Sequence, residues 1–244
     1  MRFVQITDLH LHADPEARSR AGIPYRQFLA VMDAVRQEQP DIVIVTGDIS
    51  QDESAKAYEL ATEQLNRLPC PWYWLPGNHD QRDLMDIAHP LVEAVELNQW
   101  RLLLLDTQLP GQPSGALGSD KLAALVAQLE QRSAPTMIAM HHPPVDVGAT
   151  WMDAINLQDK DDFWAVLSGY PQIKIVLFGH AHQAYSQAKE LDNFSVAVYG
   201  SPATADQFLP RAEAFAVDEA SHPGYRVLDI EGASWRTRIE RVAP

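Results

Sequence analysis

Five short apolar runs in this chain each stop at a residue able to hold a metal ion, and that recurrence restricts the fold more than any other feature of its 244 residues. Phe3 to Thr7 leads to Asp8 and His10, and Ile42 to Thr46 leads to Gly47 and Asp48. Trp72 to Pro76 leads to Gly77, Asn78, His79 and Asp80. Met137 to Met140 leads to His141, His142 and Pro143, and Ile173 to Phe178 leads to Gly179, His180 and His182. Runs of this length, rich in Val, Ile and aromatic residues, read as buried strands, and ligand sites gather beyond strand ends. One sheet edge carrying all five ends is the simplest arrangement. Carboxylates, imidazoles and an amide oxygen, with no thiolate among them, suit divalent metals. A two-metal centre is the expectation.

Helical periodicity fills the intervals. Pro24 to Gln39 places Phe28, Val31, Met32 and Val35 on one face, with Pro24 suited to the first turn and Pro40 as a stop. Ser54 is positioned to cap a second helix carrying Tyr58, Ala61, Leu65 and Leu68, ended by Pro69. Ser119 is the expected cap of a third, with Leu122, Leu125, Val126 and Leu129 buried, and a fourth is expected from Asp159 to Leu167. Later, Ser195 to Tyr199, Tyr225 to Ile230 and Trp235 to Val242 read as strands without helices between them. Pro110 to Gly118 and Pro143 to Gln158 read as loops. The mixture implies a mixed α/β fold of two packed sheets with helices outside both. Because the motifs run from residue 8 to residue 182, they cannot belong to separable halves, so residues 1–244 are expected to form a single domain.

Charge narrows the partners. With 19 basic and 33 acidic residues the net charge is −14, which repels polyanions except where bound cations reverse the local potential, so nucleic acid is not an expected partner. No apolar stretch approaches the roughly 18 residues of a membrane span. Cys70 is the only cysteine, which rules out an internal disulfide; a reducing, cytoplasmic setting is expected.

Taken singly, each ligand motif has an ordinary alternative. An Asp after a strand is commonly a turn former, as Asp8 would be without His10; Gly47-Asp48 is an ordinary turn pair; Asn78 and Asp80 stabilise polar turns. Together and in this order they are hard to obtain by chance. His12, His89 and His222 lack partner motifs and read as surface or satisfied core residues. Trp72 and Trp74 read as packing, whereas Trp151, in the loop after His141-His142-Pro143, could flank a substrate base or pack its own loop.

The order Asp-x-His, Gly-Asp, Gly-Asn-His-Asp, His before Pro, and Gly-His-x-His resembles the calcineurin-like metallophosphoesterase superfamily over about three quarters of the chain. Gln5 to Asp8, Leu75 to Asp80 and the tail from Phe215 to Leu228 further resemble the bacterial class III cyclic-nucleotide phosphodiesterases. This resemblance implies a four-layer α-β-β-α sandwich. It also implies two metal ions, iron or manganese most often and zinc or cobalt sometimes, with Asp8, His10 and His182 on one and Asn78, His141 and His180 on the other. Asp48 would bridge them. The two imidazoles His141 and His142 would point apart on a strand; the family's His-x-Pro pattern selects His141 and leaves His142 behind it.

A chemistry follows from that assignment. Two cations about 4 Å apart make hydroxide available near neutral pH for in-line attack on phosphorus. His79 is the expected catalytic residue, donating a proton to the departing ribose oxygen. His10, Asp48, Asn78, His79 and His182 would meet the substrate, 3′,5′-cyclic AMP or another cyclic nucleotide or small phosphodiester. The superfamily's protein phosphatases carry a carboxylate three residues beyond the bridging Asp, where this chain has Gln51, so Asp52 or Asp80 is left to orient His79. Glycerophosphodiester, nucleotide-sugar and phosphomonoester hydrolases would share every ligand, while a non-catalytic scaffold would be expected to have lost some. A homodimer is compatible with the subgroup, though no residue pattern derives it.

Overall fold

The structure, a computed structural model, describes residues 1–243. In chain order the elements are β1 (Arg2–Ile6), α1 (Pro24–Gln37), β2 (Ile42–Thr46), α2 (Ala55–Leu65), β3 (Trp72–Leu75), α3 (Arg82–Ala88), β4 (Ala94–Leu97), β5 (Trp100–Leu105) and α4 (Gly118–Glu130). There follow β6 (Thr136–Met140), α5 (Thr150–Asp153), α6 (Lys160–Leu167), β7 (Ile173–Phe178), β8 (Tyr185–Glu190), β9 (Ser195–Gly200), β10 (Gly224–Glu231) and β11 (Ser234–Arg241). One sheet has the order β11-β10-β1-β2-β3 and the other β4-β5-β6-β7-β9-β8. Within them β1, β2 and β3 run parallel, as do β5, β6, β7 and β9.

Strand alternation builds the layers. Ile42 and Ile44 join Phe3, Leu102, Leu104, Met137, Ile175 and Leu177 in a core between the two sheets. Their neighbours Val43 and Val45 turn the other way, onto Phe28, Val31, Met32 and Val35 of α1 and Tyr58, Ala61 and Leu65 of α2. On the outer face of the second sheet, Leu103, Ile138 and Val176 pack with Leu125 and Leu129 of α4 and Phe163 and Leu167 of α6. Helix, sheet, sheet and helix therefore stack as four layers, the architecture expected from the motifs.

Three local expectations change. The five ligand-bearing ends do not share one sheet edge: three come from the first sheet and two from the second, facing each other across the sandwich. Ser119 does not cap α4; the helix starts at Gly118, and the Asp159 carboxylate, brought from across the loop, accepts from Leu117 N at 2.9 Å and Gly118 N at 2.7 Å. The segment from Pro143 to Gln158 contains the short helix α5. By contrast Ser54 caps α2 as expected, accepting from Ala57 N at 3.2 Å, and Pro24 opens α1. No helix among the described residues is long and apolar enough to cross a membrane.

Candidate metal centre

The loops leaving β1, β2, β3, β6 and β7 converge because their backbones are stitched together. Asp8 N donates to Gly47 O at 3.0 Å, His10 N to Asp48 O at 3.0 Å, and Gly179 N to His141 O at 3.0 Å. The Asp8 carboxylate accepts from His180 N at 2.9 Å, and Asp48 Oδ1 accepts from His79 N at 2.9 Å. A Cβ placed on Gly77 would lie 2.1 Å from Asp48 Oδ1, so only glycine lets these loops approach. Asp8, His10, Asp48, His180 and His182 all adopt left-handed backbone, with φ of 54°, 47°, 52°, 64° and 50°. Each such residue costs roughly 1 kcal/mol or more, a strain that persists only where surrounding structure fixes it.

Side chains complete two overlapping groups. In the first, His182 Nε2 lies 3.3 Å from Asp8 Oδ1 and 3.0 Å from His10 Nε2. In the second, His141 Nε2 lies 3.1 Å from Asn78 Oδ1 and 3.1 Å from His180 Nδ1. Asp48 Oδ2 stands between them, 3.7 Å from His10 Nε2 and 3.4 Å from His141 Nε2. All seven residues expected to hold metals are thus brought together, and His79 sits beside them, its ring centroid 5.2 Å from that of His10.

Hydrogen bonding fixes what these atoms offer. His10 Nδ1 meets Gln51 Oε1 at 2.7 Å, His182 Nδ1 meets Asp206 O at 2.6 Å, and His141 Nδ1 meets Thr46 O at 2.8 Å. These oxygens only accept, so each Nδ1 carries a proton, and in the neutral imidazole each Nε2 presents a lone pair inward. The two inward nitrogens of His10 and His182 then face one another, while that of His141 faces the oxygens of Asn78 and Asp48. Acceptors aimed at acceptors repel unless positive charge lies among them, and this donor set fits cations in both groups. Burial opposes charge on His141, but Asp48, Asp8 and the Thr46 carbonyl together outweigh it and raise the imidazole to about 9, so its Nε2 must give up a proton to hold a cation. Burial pushes His10 down to about 4 and His142 down to about 3.

His142 gives its Nδ1 to Thr107, 2.7 Å from Oγ1, while its ring stays beside the centre, with its centroid 4.8 Å from that of His180. Neither Asp52 nor Asp80 reaches the His79 ring. Asp52 accepts from Ala13 N at 2.8 Å. Asp80 is buried and accepts from Ile49 N and Ser50 N at 3.0 Å, Gly77 N at 2.9 Å and the Tyr58 hydroxyl at 3.2 Å, tying the β2 and β3 loops together. Burial, then Asp48, push the Asp80 carboxyl up to about 7 against those amides. Gln51 is the neighbour of His79, its Nε2 3.4 Å from His79 Nδ1. One amide side chain therefore spans His10 and His79, a role the sequence marked only as a departure from a carboxylate pattern. Asp206 and Thr107, which buttress the histidines, carried no motif.

The centre opens into a cleft of about 730 Å³ lined by His10, Asp48, Asn78, His79, His180 and His182 at its floor. Asp8 and His141 lie fully buried beneath. Trp151 lines the cleft wall and packs on Phe208, with ring centroids 5.3 Å apart.

A four-layer sandwich with this cluster at the facing sheet ends defines a metallophosphoesterase class, and the chain belongs to the calcineurin-like phosphoesterase family, whose model matches residues 1–184. A probable cyclic nucleotide phosphodiesterase of Synechococcus sp. is 37% identical over 99% of this chain and 92% of that protein. The 3′,5′-cyclic adenosine monophosphate phosphodiesterase CpdA of Vibrio vulnificus is 35% identical over 100% of this chain and 90% of its own length. Among solved structures, a dimetal phosphatase from Danio rerio superposes with a TM-score of 0.70 at 16% identity, covering 99% of each chain, a likeness of fold.

Proposed function

We propose that this chain, as a single domain, hydrolyses 3′,5′-cyclic AMP, with tolerance for other cyclic nucleotides, to the 5′-nucleotide. The observation that carries the reading is the convergence of lone pairs from two sheets on two adjoining points, with Asp48 common to both. Asp8, His10 and His182 would hold one metal ion, Asn78, His141 and His180 the other, and Asp48 both. Iron or manganese is the proposed occupant, consistent with oxygen and nitrogen donors alone. When bound, the two cations supply hydroxide near neutral pH and offset the charge that builds on the phosphoryl oxygens.

The chain's own residues do the rest. Gln51 Nε2 stands 3.4 Å from His79 Nδ1 and orients the ring. A His79 imidazolium would pass its proton to the 3′ oxygen as the bond from that oxygen to phosphorus breaks and be left as neutral imidazole, so a hydroxyl leaves rather than an alkoxide. The buried carboxylates beneath the cleft hold the cluster in register, and Asn78 at the floor faces the phosphate. The names of the relatives support a cyclic nucleotide over a glycerophosphodiester, the alternative that shares every ligand. A single cysteine, half-buried Cys70, is in keeping with the cytoplasm as its location. His79→Ala tests the reading: metal content should persist while turnover of cyclic AMP falls by about 10² or more. Unchanged turnover would remove His79 from the mechanism.

A further inference from the structure

Beyond the metal floor, the cleft has a wall that phosphate chemistry does not require. Phe208 lies flat on His182, with ring centroids 3.9 Å apart and planes at 8°. Phe215 stands edge-on to Phe208 at 5.1 Å and to Trp151 at 5.1 Å, so three aromatic rings run from a residue of the centre out to solvent. Phe215 remains 41% exposed at the mouth, one of three large apolar side chains so exposed among the described residues. The guanidinium of Arg20 sits over its ring at 4.6 Å.

Arg20 is held there by design of the backbone rather than by an ion pair. The Asp206 carboxylate accepts from Ser19 Oγ at 2.5 Å, Arg20 N at 3.0 Å and Ala21 N at 3.1 Å, while the Asp206 carbonyl accepts from His182 Nδ1. The same residue thus orients an imidazole of the centre and pins the arm that crosses the cleft mouth. Arg18 and Arg20 both line the cleft, and among the described residues neither guanidinium has a carboxylate partner, in a chain whose net charge is −14. Unpaired cations over an exposed ring match a ligand that is planar, π-rich and joined to an anion.

We propose that the face of Phe215 beneath Arg20 is the seat of a nucleobase, with Trp151 and Phe208 backing it and Asp206 positioning the arm. This rests on the phosphodiesterase reading for the link between base and phosphate, but base binding is separable from turnover. A base carried on a ribose whose phosphate lies at the centre would leave the metal floor along the aromatic wall. The guanidinium, 4.6 Å from the ring centroid, leaves no gap for a base where it stands, so Arg20 would swing outward and stack on the base from the solvent side, and the purine would gain contact that a bare sugar phosphate cannot.

The test is calorimetric binding of 5′-AMP and of ribose 5-phosphate to the metal-loaded full chain, with Phe215→Leu and Arg20→Ala alongside the wild type. Phe215→Leu keeps apolar bulk and removes the π face, so it separates stacking from packing. The wild type should bind 5′-AMP about tenfold or more tighter than ribose 5-phosphate, the scale of base–aromatic stacking, and both variants should lose most of that ratio. Equal affinities in the wild type, or an undiminished ratio in both variants, would overturn the base seat. Preference for 5′-AMP in a protein that fails to cleave cyclic AMP would keep the seat and remove the proposed reaction. Cleavage without any preference would keep the reaction and remove the seat.

Discussion

Asp80 is the fourth residue of the Gly-Asn-His-Asp run, yet its carboxylate turns away from the centre and into the backbone. Replacing it with alanine would strand three buried amides, Ile49 N, Ser50 N and Gly77 N, together with the Tyr58 hydroxyl. At about 1 kcal/mol net for each lost hydrogen bond, Asp80→Ala should cost about 4 kcal/mol of stability. Asp80→Asn keeps one acceptor oxygen where there were two, and should cost about half as much. Both loops that lose their tie carry groups of the centre, Asp48 on one and Asn78 and His79 on the other. Displacement of about 1 Å there costs on the order of 10² in rate, so turnover should fall with stability. Urea unfolding gives the first quantity, provided the slope with denaturant is unchanged, and steady-state hydrolysis of the metal-loaded variants gives the second. Loss of less than about 1 kcal/mol in Asp80→Ala, with turnover intact, would refute the idea that Asp80 is the clasp between the two loops.

Further outcomes follow from the same geometry. Saturating each of the two cation sites at about 100 times its dissociation constant adds about 2.7 kcal/mol, or about 5.4 kcal/mol for both, so chelation should lower the melting temperature by about 10–20 °C, and an unchanged temperature would argue against metal holding the left-handed loops. Gln51→Ala removes the acceptor from His10 and the amide that orients His79, so metal affinity should fall about 10-fold to 100-fold with turnover lowered as well; metal titration of the variant checks it. Asp229 is held below its ordinary 3.8 by its hydrogen bond to Arg2. Its depressed folded value means its stabilisation is present above that pH and lost as pH falls through the folded value. Asp229→Asn should therefore unfold more easily than the wild type near neutral pH and match it in acid, by less than about 1 kcal/mol because the pair is exposed.

The parts of this molecule legible in sequence were those where one residue type has few alternatives. Strand runs such as Ile42 to Thr46 are short, β-branched and apolar on both faces, and both faces are buried, one between the sheets and one under α1 and α2. The ligand motifs were legible because glycine, carboxylate and imidazole at a strand end leave little else to do. Elements whose identity depends on a distant neighbour were not. Tyr185–Glu190 is polar along most of its length and becomes strand β8 only by pairing with β9 at the sheet edge. Trp100–Leu105 is buried throughout, so its apolar run shows no period that separates strand from helix. The seven residues of α3 bury only Met85, too little for an amphipathic stripe. The cap of α4 was misread for the same reason: Asp159, some forty residues away, supplies what Ser119 was expected to give. Within the centre, Gln51 showed only as a departure from a carboxylate pattern and Asp206 carried no motif, because an amide bridging two imidazoles and a backbone carbonyl behind a third leave no spacing pattern.

The central claim is that two facing sheets present one lone-pair cluster to two cations, and that this centre cleaves a cyclic phosphodiester. It is tested most directly by following conversion of cyclic AMP to 5′-AMP while metal is titrated into the chelated protein, with bound metal per chain measured at each point. The account predicts activity that rises until two ions are bound per chain, and 5′-AMP as the product. Two ions bound with no cleavage, or cleavage that proceeds without them, would contradict it.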